Sequence, residues 1–238
     1  MKALVFAAGL GTRLRPLTDT MPKALVPVGG RTLLEYQIDM LARAGVTDII
    51  INVHHFAQQI VDFVHAHNDF GCHIMISDER DALLDTGGGL RKAWNTFAAD
   101  SDEPILALNT DILSNIDLQA VMAAYDPTTL GLLVVSERKT QRYLCFDEAL
   151  RLRGWVNVAT GETRGDSGRQ LAFSGMQMLS PKVLPLLNKY AERVGDRFPI
   201  MDFYLSETIG EISGYVPDNY KMMDVGKIDQ LSEAEKWI

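Results

Sequence analysis

The chain has 238 residues, 47% of them hydrophobic, enough to bury one large core or one core with a lobe added. A net charge of −8 excludes a generally basic face for nucleic acid. Residues 1–31 nevertheless carry five basic side chains (Lys2, Arg13, Arg15, Lys23, Arg31) against one acid, Asp19, so a local anion site is expected near the start.

The opening apolar run, residues 3–8, is too short for a secretory h-region or a bilayer span and reads as a buried first strand. Cys72 and Cys145 form no C-x-x-C pair and are expected as free thiols in a cytoplasmic protein with no membrane partner. A helix is predicted over 32–44, where Leu33, Leu34, Ile38, Leu41 and Ala44 recur at a period near 3.6 and Gly45 can end it. A strand over 48–53, a helix over 56–67 and a strand over 73–76 follow. Then come a helix over 86–99, a strand over 105–108, a helix over 117–125 with Asp117 as its cap, and a strand over 130–135. Continuous apolar strands alternating with helices predict an α/β fold, a Rossmann-like mostly parallel sheet with helices on both faces.

After about residue 137 the rhythm changes. Short strands over 143–146, 154–158 and 171–178, with a turn at Thr160-Gly161, predict a small antiparallel β-rich lobe. Helices are expected over 180–193, with Pro181 at the first helical position, and over 199–209 and 231–237. No linker divides the chain, so residues 1–238 read as a single domain. A nucleotide-binding core takes about 1–136, and a substrate lobe takes about 137–238.

The first strand runs into Ala7-Ala8-Gly9-Leu10-Gly11-Thr12-Arg13-Leu14-Arg15-Pro16-Leu17-Thr18. In an open α/β sheet, ligands sit beyond the carboxyl ends of strands. Glycines there let backbone N–H groups turn to a phosphate, and Arg13 adds a planar charged fork. Lys23 follows in Met21-Pro22-Lys23-Ala24-Leu25-Val26-Pro27, between two stiffening prolines. Glycine spacing alone leaves several readings open. A dinucleotide loop would need glycine where Leu14 stands, and the run Asn52-Val53-His54 ends without an acid. A P-loop string is absent, and a plain turn with surface arginines is the bland alternative.

The longer string, A-A-G-L-G-T-R-L-R-P-L-T, four residues, then P-K-A-L-V-P-V, resembles the signature of the sugar-nucleotide pyrophosphorylases. That resemblance implies a glycosyltransferase-A-like nucleotidyltransferase fold. It also implies that Ala7, Ala8, Gly9, Gly11 and Thr12 wrap the triphosphate, with Arg13 and Lys23 as catalytic charge partners. Pro104–Asp111 reads as a buried strand ending in Asn109-Thr110-Asp111, and Asp224 follows an apolar step in Lys221-Met222-Met223-Asp224-Val225-Gly226. Two hard carboxylates suit Mg²⁺, and the resemblance makes both Asp111 and Asp224 metal ligands. In Leu84-Asp85-Thr86-Gly87-Gly88-Gly89-Leu90 the glycines suit close backbone approach to a nucleobase, and the resemblance implies Thr86, Gly87 and Gly88 as nucleotide contacts. It likewise implies Asn109, Gly175 (in Phe173-Ser174-Gly175-Met176) and Asp202 as sugar contacts. Where many members place Glu-Lys-Pro, with the lysine on the sugar phosphate, this chain has Gly154-Trp155-Val156-Asn157 and later Thr160–Arg164. Arg138, Arg142 and Arg164 are the candidate substitutes, Trp155 reads as core, and the five histidines show no zinc spacing.

The expected partners are a nucleoside triphosphate and a sugar 1-phosphate, acted on by a monomer or homodimer. The features most resemble short bacterial N-acetylmuramate 1-phosphate uridylyltransferases, and mannose or heptose 1-phosphate guanylyltransferases share them. A non-catalytic module that holds a nucleotide-sugar is the alternative from another class, and a dehydrogenase is a weaker one.

Overall fold

The computed structural model describes residues 1–237. Strand β1 (Lys2–Phe6) leads through three short 3-10 turns to a small hairpin, β2 (Pro27–Val28) and β3 (Arg31–Thr32), and then to α1 (Leu33–Arg43). Next come β4 (Asp48–Val53), α2 (Ala57–Ala66), β5 (His73–Asp78), α3 (Asp85–Phe97), β6 (Ile105–Asn109), β7 (Ile112–Ser114), α4 (Leu118–Ala124) and β8 (Gly131–Ser136). The second half holds β9 (Arg142–Phe146), β10 (Leu152–Asn157), β11 (Glu162–Gly165), β12 (Arg169–Leu179), α5 (Val183–Val194), α6 (Ile200–Glu207), β13 (Ile212–Tyr215), β14 (Met222–Asp224) and α7 (Ile228–Trp237).

Local chemistry explains the helix starts. Thr32 and Glu35 form a reciprocal capping box on α1: Glu35 N donates to Thr32 Oγ1 at 3.2 Å, and Thr32 N donates to Glu35 Oε2 at 2.6 Å. Asp117 caps α4 as the sequence suggests, accepting from Gln119 N at 2.9 Å and Ala120 N at 3.3 Å. Pro181 falls two residues before α5 rather than at its first position, because a turn over 180–184 precedes the helix proper.

The central sheet runs β5-β4-β1-β6-β12, with the first four strands mutually parallel and β12 antiparallel to β6. Side chains alternate along each strand, and both faces are covered. Leu4, Ile50, Ala107 and Leu133 pack toward the core shared with α3, α5 and α6. Their neighbours Val5, Ile51, Leu106 and Leu132 pack toward α1, α2 and α4. Strands buried on two faces therefore read as unbroken apolar runs.

Residues 137–237 do not stay apart from this sheet. Strand β12 fills its middle, β13 adds a parallel strand beside β8, and only β9, β10 and β11 project as an antiparallel lobe. Strand β12 serves both parts, pairing with β9 through Arg169–Leu171 and with β6 through Met176–Leu179.

A third, smaller core lies under the loop that follows β1. Leu14 is fully buried there among Val26, Val28, Leu113, Val225 and Ala234 of α7. Leu14 thus anchors the loop between two exposed arginines, Arg13 and Arg15. Leu14→Ala is expected to lower unfolding free energy by about 2–5 kcal/mol, the range for emptying a buried leucine site. Denaturant unfolding of the variant measures this, and a loss under about 1 kcal/mol would remove Leu14 as the anchor.

Candidate active site

A cavity of about 420 Å³ opens beyond the carboxyl ends of β1 and β6. Residues 6–13, Lys23, Asn52, Glu79, Thr86, Asn109 and Asp111 contribute to its walls. Gly11 has φ +62°, and a Cβ there would lie 2.8 Å from Thr18 Cγ2, so the turn accepts only glycine without strain. Thr18 Oγ1 locks the turn by donating to Gly11 O at 2.7 Å. Gly9 faces open space, leaving its backbone approachable. Asn52 Oδ1 accepts from Ala7 N at 2.7 Å and Ala8 N at 3.3 Å. The N–H groups of Gly9, Leu10 and Gly11 have no partner among the described residues. The sequence places Ala7 and Ala8 with the triphosphate contacts. The structure puts both on the cavity wall but turns their N–H groups inward to Asn52.

Four charged side chains meet at the rim of this loop. Asp111 follows β6, and Lys23 Nζ donates to its carboxylate. Strand β14 pairs antiparallel with β7 so that Asp224 stands opposite Ile112, and Val225 N donates to Asp111 O at 2.8 Å. That short ladder brings the two aspartates together. Gly226 lets Arg13 approach: a Cβ there would lie 2.7 Å from Asp224 Oδ1 and 3.0 Å from Arg13 Nη2. Burial, and then the negative charge of Asp111, push the Asp224 carboxyl above the usual carboxylate range, while Lys23, Arg13 and Arg138 pull it down. Asp224 Oδ1 is buried without a hydrogen-bond partner among the described residues. Beneath Asp111, the buried Gln37 amide donates to Thr110 O at 3.4 Å and Ile112 O at 2.8 Å, holding the backbone on both sides of the carboxylate.

The first turn of α3 answers to packing as well as to the cavity. Thr86 lines the cavity, and its hydroxyl accepts from Ile200 N at 2.9 Å, so it caps α6 rather than its own helix. Gly87 N and Gly88 N donate to Phe198 O at 2.9 and 3.3 Å. A side chain on Gly87 would run into the Phe198 ring, and one on Gly88 into the Asp196 carbonyl. Gly87 and Gly88, expected as nucleotide contacts, are therefore buried against the 196–198 segment and line no part of the cavity described here.

On the opposite side, Gly175 (φ +73°) sits in a bulge where β12 slips register against β8, and its would-be Cβ lies 3.0 Å from Asn109 Nδ2. These two expected sugar contacts are thus neighbours. Asp202 is tied to Arg164 at 2.5 Å, both side chains 40% exposed. Arg142 is exposed at the start of β9, whereas Arg138 Nη2 donates to Phe173 O at 3.0 Å beside the bulge. Trp155 packs partly buried against the first core, as its sequence setting suggests. The two cysteines are free, and burial raises both thiols.

Sequence reasoning missed Asn52 and Glu79. Glu79 is 1% exposed, takes Asn52 Nδ2 at 2.7 Å on one oxygen, and takes Leu84 N at 3.2 Å on the other. His54 Nδ1 contacts Glu79 O at 2.6 Å, so His54 braces this corner. The available signal was polar residues ending two strands that lie side by side, Asn52 on β4 and Glu79 just beyond β5.

Residues 2–143 match the nucleotidyl transferase family. The N-acetylmuramate alpha-1-phosphate uridylyltransferase of Caulobacter vibrioides is 38% identical over 145 residues, covering 58% of this chain and 59% of that protein. The mannose-1-phosphate guanyltransferase of Debaryomyces hansenii is 30% identical over 231 residues, covering 95% of this chain and 61% of that one. The chain therefore spans about three-fifths of the length of these two relatives. The solved structure of HddC from Yersinia pseudotuberculosis, complexed with GMP-PN, shares the fold with a TM-score of 0.78 at 21% identity, covering 99% of this chain and 98% of that one.

Burial raises the Glu79 carboxyl, against the pull of Asn52 and the Leu84 N–H. The folded state then binds more protons than the unfolded chain from the ordinary glutamate range up to the raised value, so this group's stabilisation falls as pH rises through that window. The unfolding free energy of wild type relative to Glu79→Gln should accordingly fall as pH rises from the ordinary glutamate range of about 4. Denaturant curves that stay parallel over the whole range would show that Glu79 has no such shift.

Proposed function

Because the chain belongs to the nucleotidyl transferase family, we propose that it joins a nucleoside triphosphate to a sugar 1-phosphate and releases pyrophosphate. The meeting of Arg13, Lys23, Asp111 and Asp224 at the rim of the glycine loop carries this reading. An oxygen of the sugar phosphate attacks the α-phosphorus, the bond from that phosphorus to the bridging oxygen of the β-phosphate breaks, and pyrophosphate leaves with the electron pair. The nucleophile is already anionic near neutral pH, so the reaction needs no general base. Alignment and charge neutralisation remain for the protein to supply.

The free N–H groups of Gly9, Leu10 and Gly11 bind phosphate oxygens, and Arg13 holds them through its fork. Lys23 is poised by Asp111 to meet the charge that builds on the leaving group. Asp111 and Asp224 hold Mg²⁺: hard oxygen donors suit it, and the unpartnered Asp224 Oδ1 is an acceptor waiting for a cation. When bound, the ion neutralises charge on the phosphate oxygens. In this reading Thr86 and its helix turn face the nucleoside, with Gly87 and Gly88 shaping the turn from behind. Asn109 and Gly175 face the sugar, and Asp202 serves it only when released from Arg164.

UTP and N-acetylmuramate 1-phosphate are the favoured substrates, supported by the identity to the Caulobacter protein. GTP with a mannose or heptose 1-phosphate is the second reading, favoured by a match that extends over 95% of the chain. A non-catalytic module would have no need to keep all four charged residues together. No helix among the described residues is long and apolar enough to cross a membrane, and we place the reaction in the cytoplasm.

Pyrophosphate release is to be measured with Mg²⁺ while UTP, GTP, CTP, ATP and dTTP are crossed with a panel of sugar 1-phosphates. One pair should stand out, with UTP and N-acetylmuramate 1-phosphate expected. Lys23→Ala and Asp111→Asn should each lower turnover by about 10²-fold or more, as removal of a transition-state charge partner does. Near-normal turnover in both variants would overturn the assignment of the site.

A further inference from the structure

Eight buried side-chain nitrogen or oxygen atoms lack a hydrogen-bond partner among the described residues, and four of them gather at one place: Ser114 Oγ, Arg138 Nε, Tyr220 OH and Asp224 Oδ1. Buried polar atoms are nearly always paired in native proteins, so four orphans together mark a place built for something else. Neighbouring elements set each one. Ser114 stands opposite Met222 in the β7–β14 ladder, two residues from Asp224 on one strand and two from Tyr220 along the chain. The Tyr220 hydroxyl lies beside Ser114 and Ser174 without a well-aligned bond to either. Ser174 Oγ in turn donates to Ser136 Oγ at 3.4 Å. Arg138 reaches this group from the segment after β8 and is anchored by one bond, Nη2 to Phe173 O at 3.0 Å. Phe173 opens the bulge that carries Gly175 against Asn109 on the cavity wall.

An arginine held by a single carbonyl, with its Nε unspent and hydroxyls around it, is a receptor for an anion with several oxygens. Its guanidinium cannot lose its proton, and its Nε is buried without an acceptor, so an anion set against it would be favoured. Asp224 supplies part of that charge from one side. We propose that Arg138, with the Tyr220 hydroxyl as a donor, binds the phosphate monoester of the sugar substrate. This deepens the function proposed above and rests on it for the identity of the sugar phosphate. Arg142 and Arg164, the other cations of the lobe, are respectively exposed at a strand start and paired with Asp202.

Calorimetric binding of inorganic phosphate, and separately of UTP and GTP, is to be compared for wild type, Arg138→Ala, Arg138→Lys and Tyr220→Phe. Phosphate affinity should fall by about 10-fold to 100-fold in Arg138→Ala, the loss expected for one charged hydrogen-bonding partner. Arg138→Lys should recover part of it, and Tyr220→Phe should lose less. Nucleotide affinity should stay within about two-fold, which also shows that the variants are folded. In turnover, KM for the sugar 1-phosphate should rise by the same factor while KM for the nucleotide holds. Unchanged phosphate affinity in Arg138→Ala, no phosphate binding by wild type, or an equal loss for phosphate and nucleotide would each overturn the proposal. Phosphate binding that depends on Arg138 in a protein that releases no pyrophosphate from any pair would keep the anion site and sink the function proposed above.

Discussion

Two carboxylates placed side by side repel, and burial strengthens the repulsion because less water screens it. Asp111 and Asp224 are in that position, and much of the surrounding structure serves to keep them there. The β7–β14 ladder fixes their relative height, and the bond from Val225 N to Asp111 O closes its end. Lys23 offsets one charge, and Arg13 leans on the other through the gap left by Gly226. Gln37 grips the backbone from below, on both sides of Asp111. The rim is thus set by opposing charges, two carboxylates against two cations.

The two sides of the cavity are joined structurally as well. Strand β12 belongs both to the parallel sheet and to the lobe, so the bulge at Gly175 is rigidly placed against Asn109 of β6. Helix α6 starts on the Thr86 hydroxyl, and the segment before it lies directly on Gly87 and Gly88. A shift of the first turn of α3 would therefore move the start of α6 and the Arg164–Asp202 pair beside it. Glu79 extends the same coupling to the glycine loop, because one carboxylate holds Leu84 N and, through Asn52, Ala7 and Ala8.

What could be read from the sequence was what is contiguous in it. Residues 7–28 carry a string whose chemistry lies in adjacent positions, and its family resemblance is met by the match over residues 2–143. The parallel half was legible because both faces of its strands are covered, which leaves unbroken apolar runs. Parts made by pairing across distance were not. The short β7, β13 and β14 carry too few residues for a period, yet they place Asp224 and extend the sheet. Glu79 and Asn52 signal nothing alone; they matter because β4 and β5 lie side by side. The three glycines before Leu90 carry a signal of a related kind. A glycine run reports close approach of something, and here Gly87 and Gly88 admit the protein's own 196–198 segment. The pairing of Asp202 with Arg164 was likewise not legible, because the two lie on different elements.

The small core under Leu14 links residues that lie far apart along the chain. Leu14 packs against Val225 and Ala234, and Arg13 reaches Asp224 across Gly226. Closing so long a loop carries an entropic cost, and contacts of such separation form late. On the ribosome the parallel strands can assemble first, while the contacts of Leu14 with Val225 and Ala234, and of Arg13 with Asp224, wait until residues 222–237 have been synthesised. The meeting of Arg13 with Asp224 would then be among the later contacts to form, so that a chain still lacking residues 222–237 has no assembled rim.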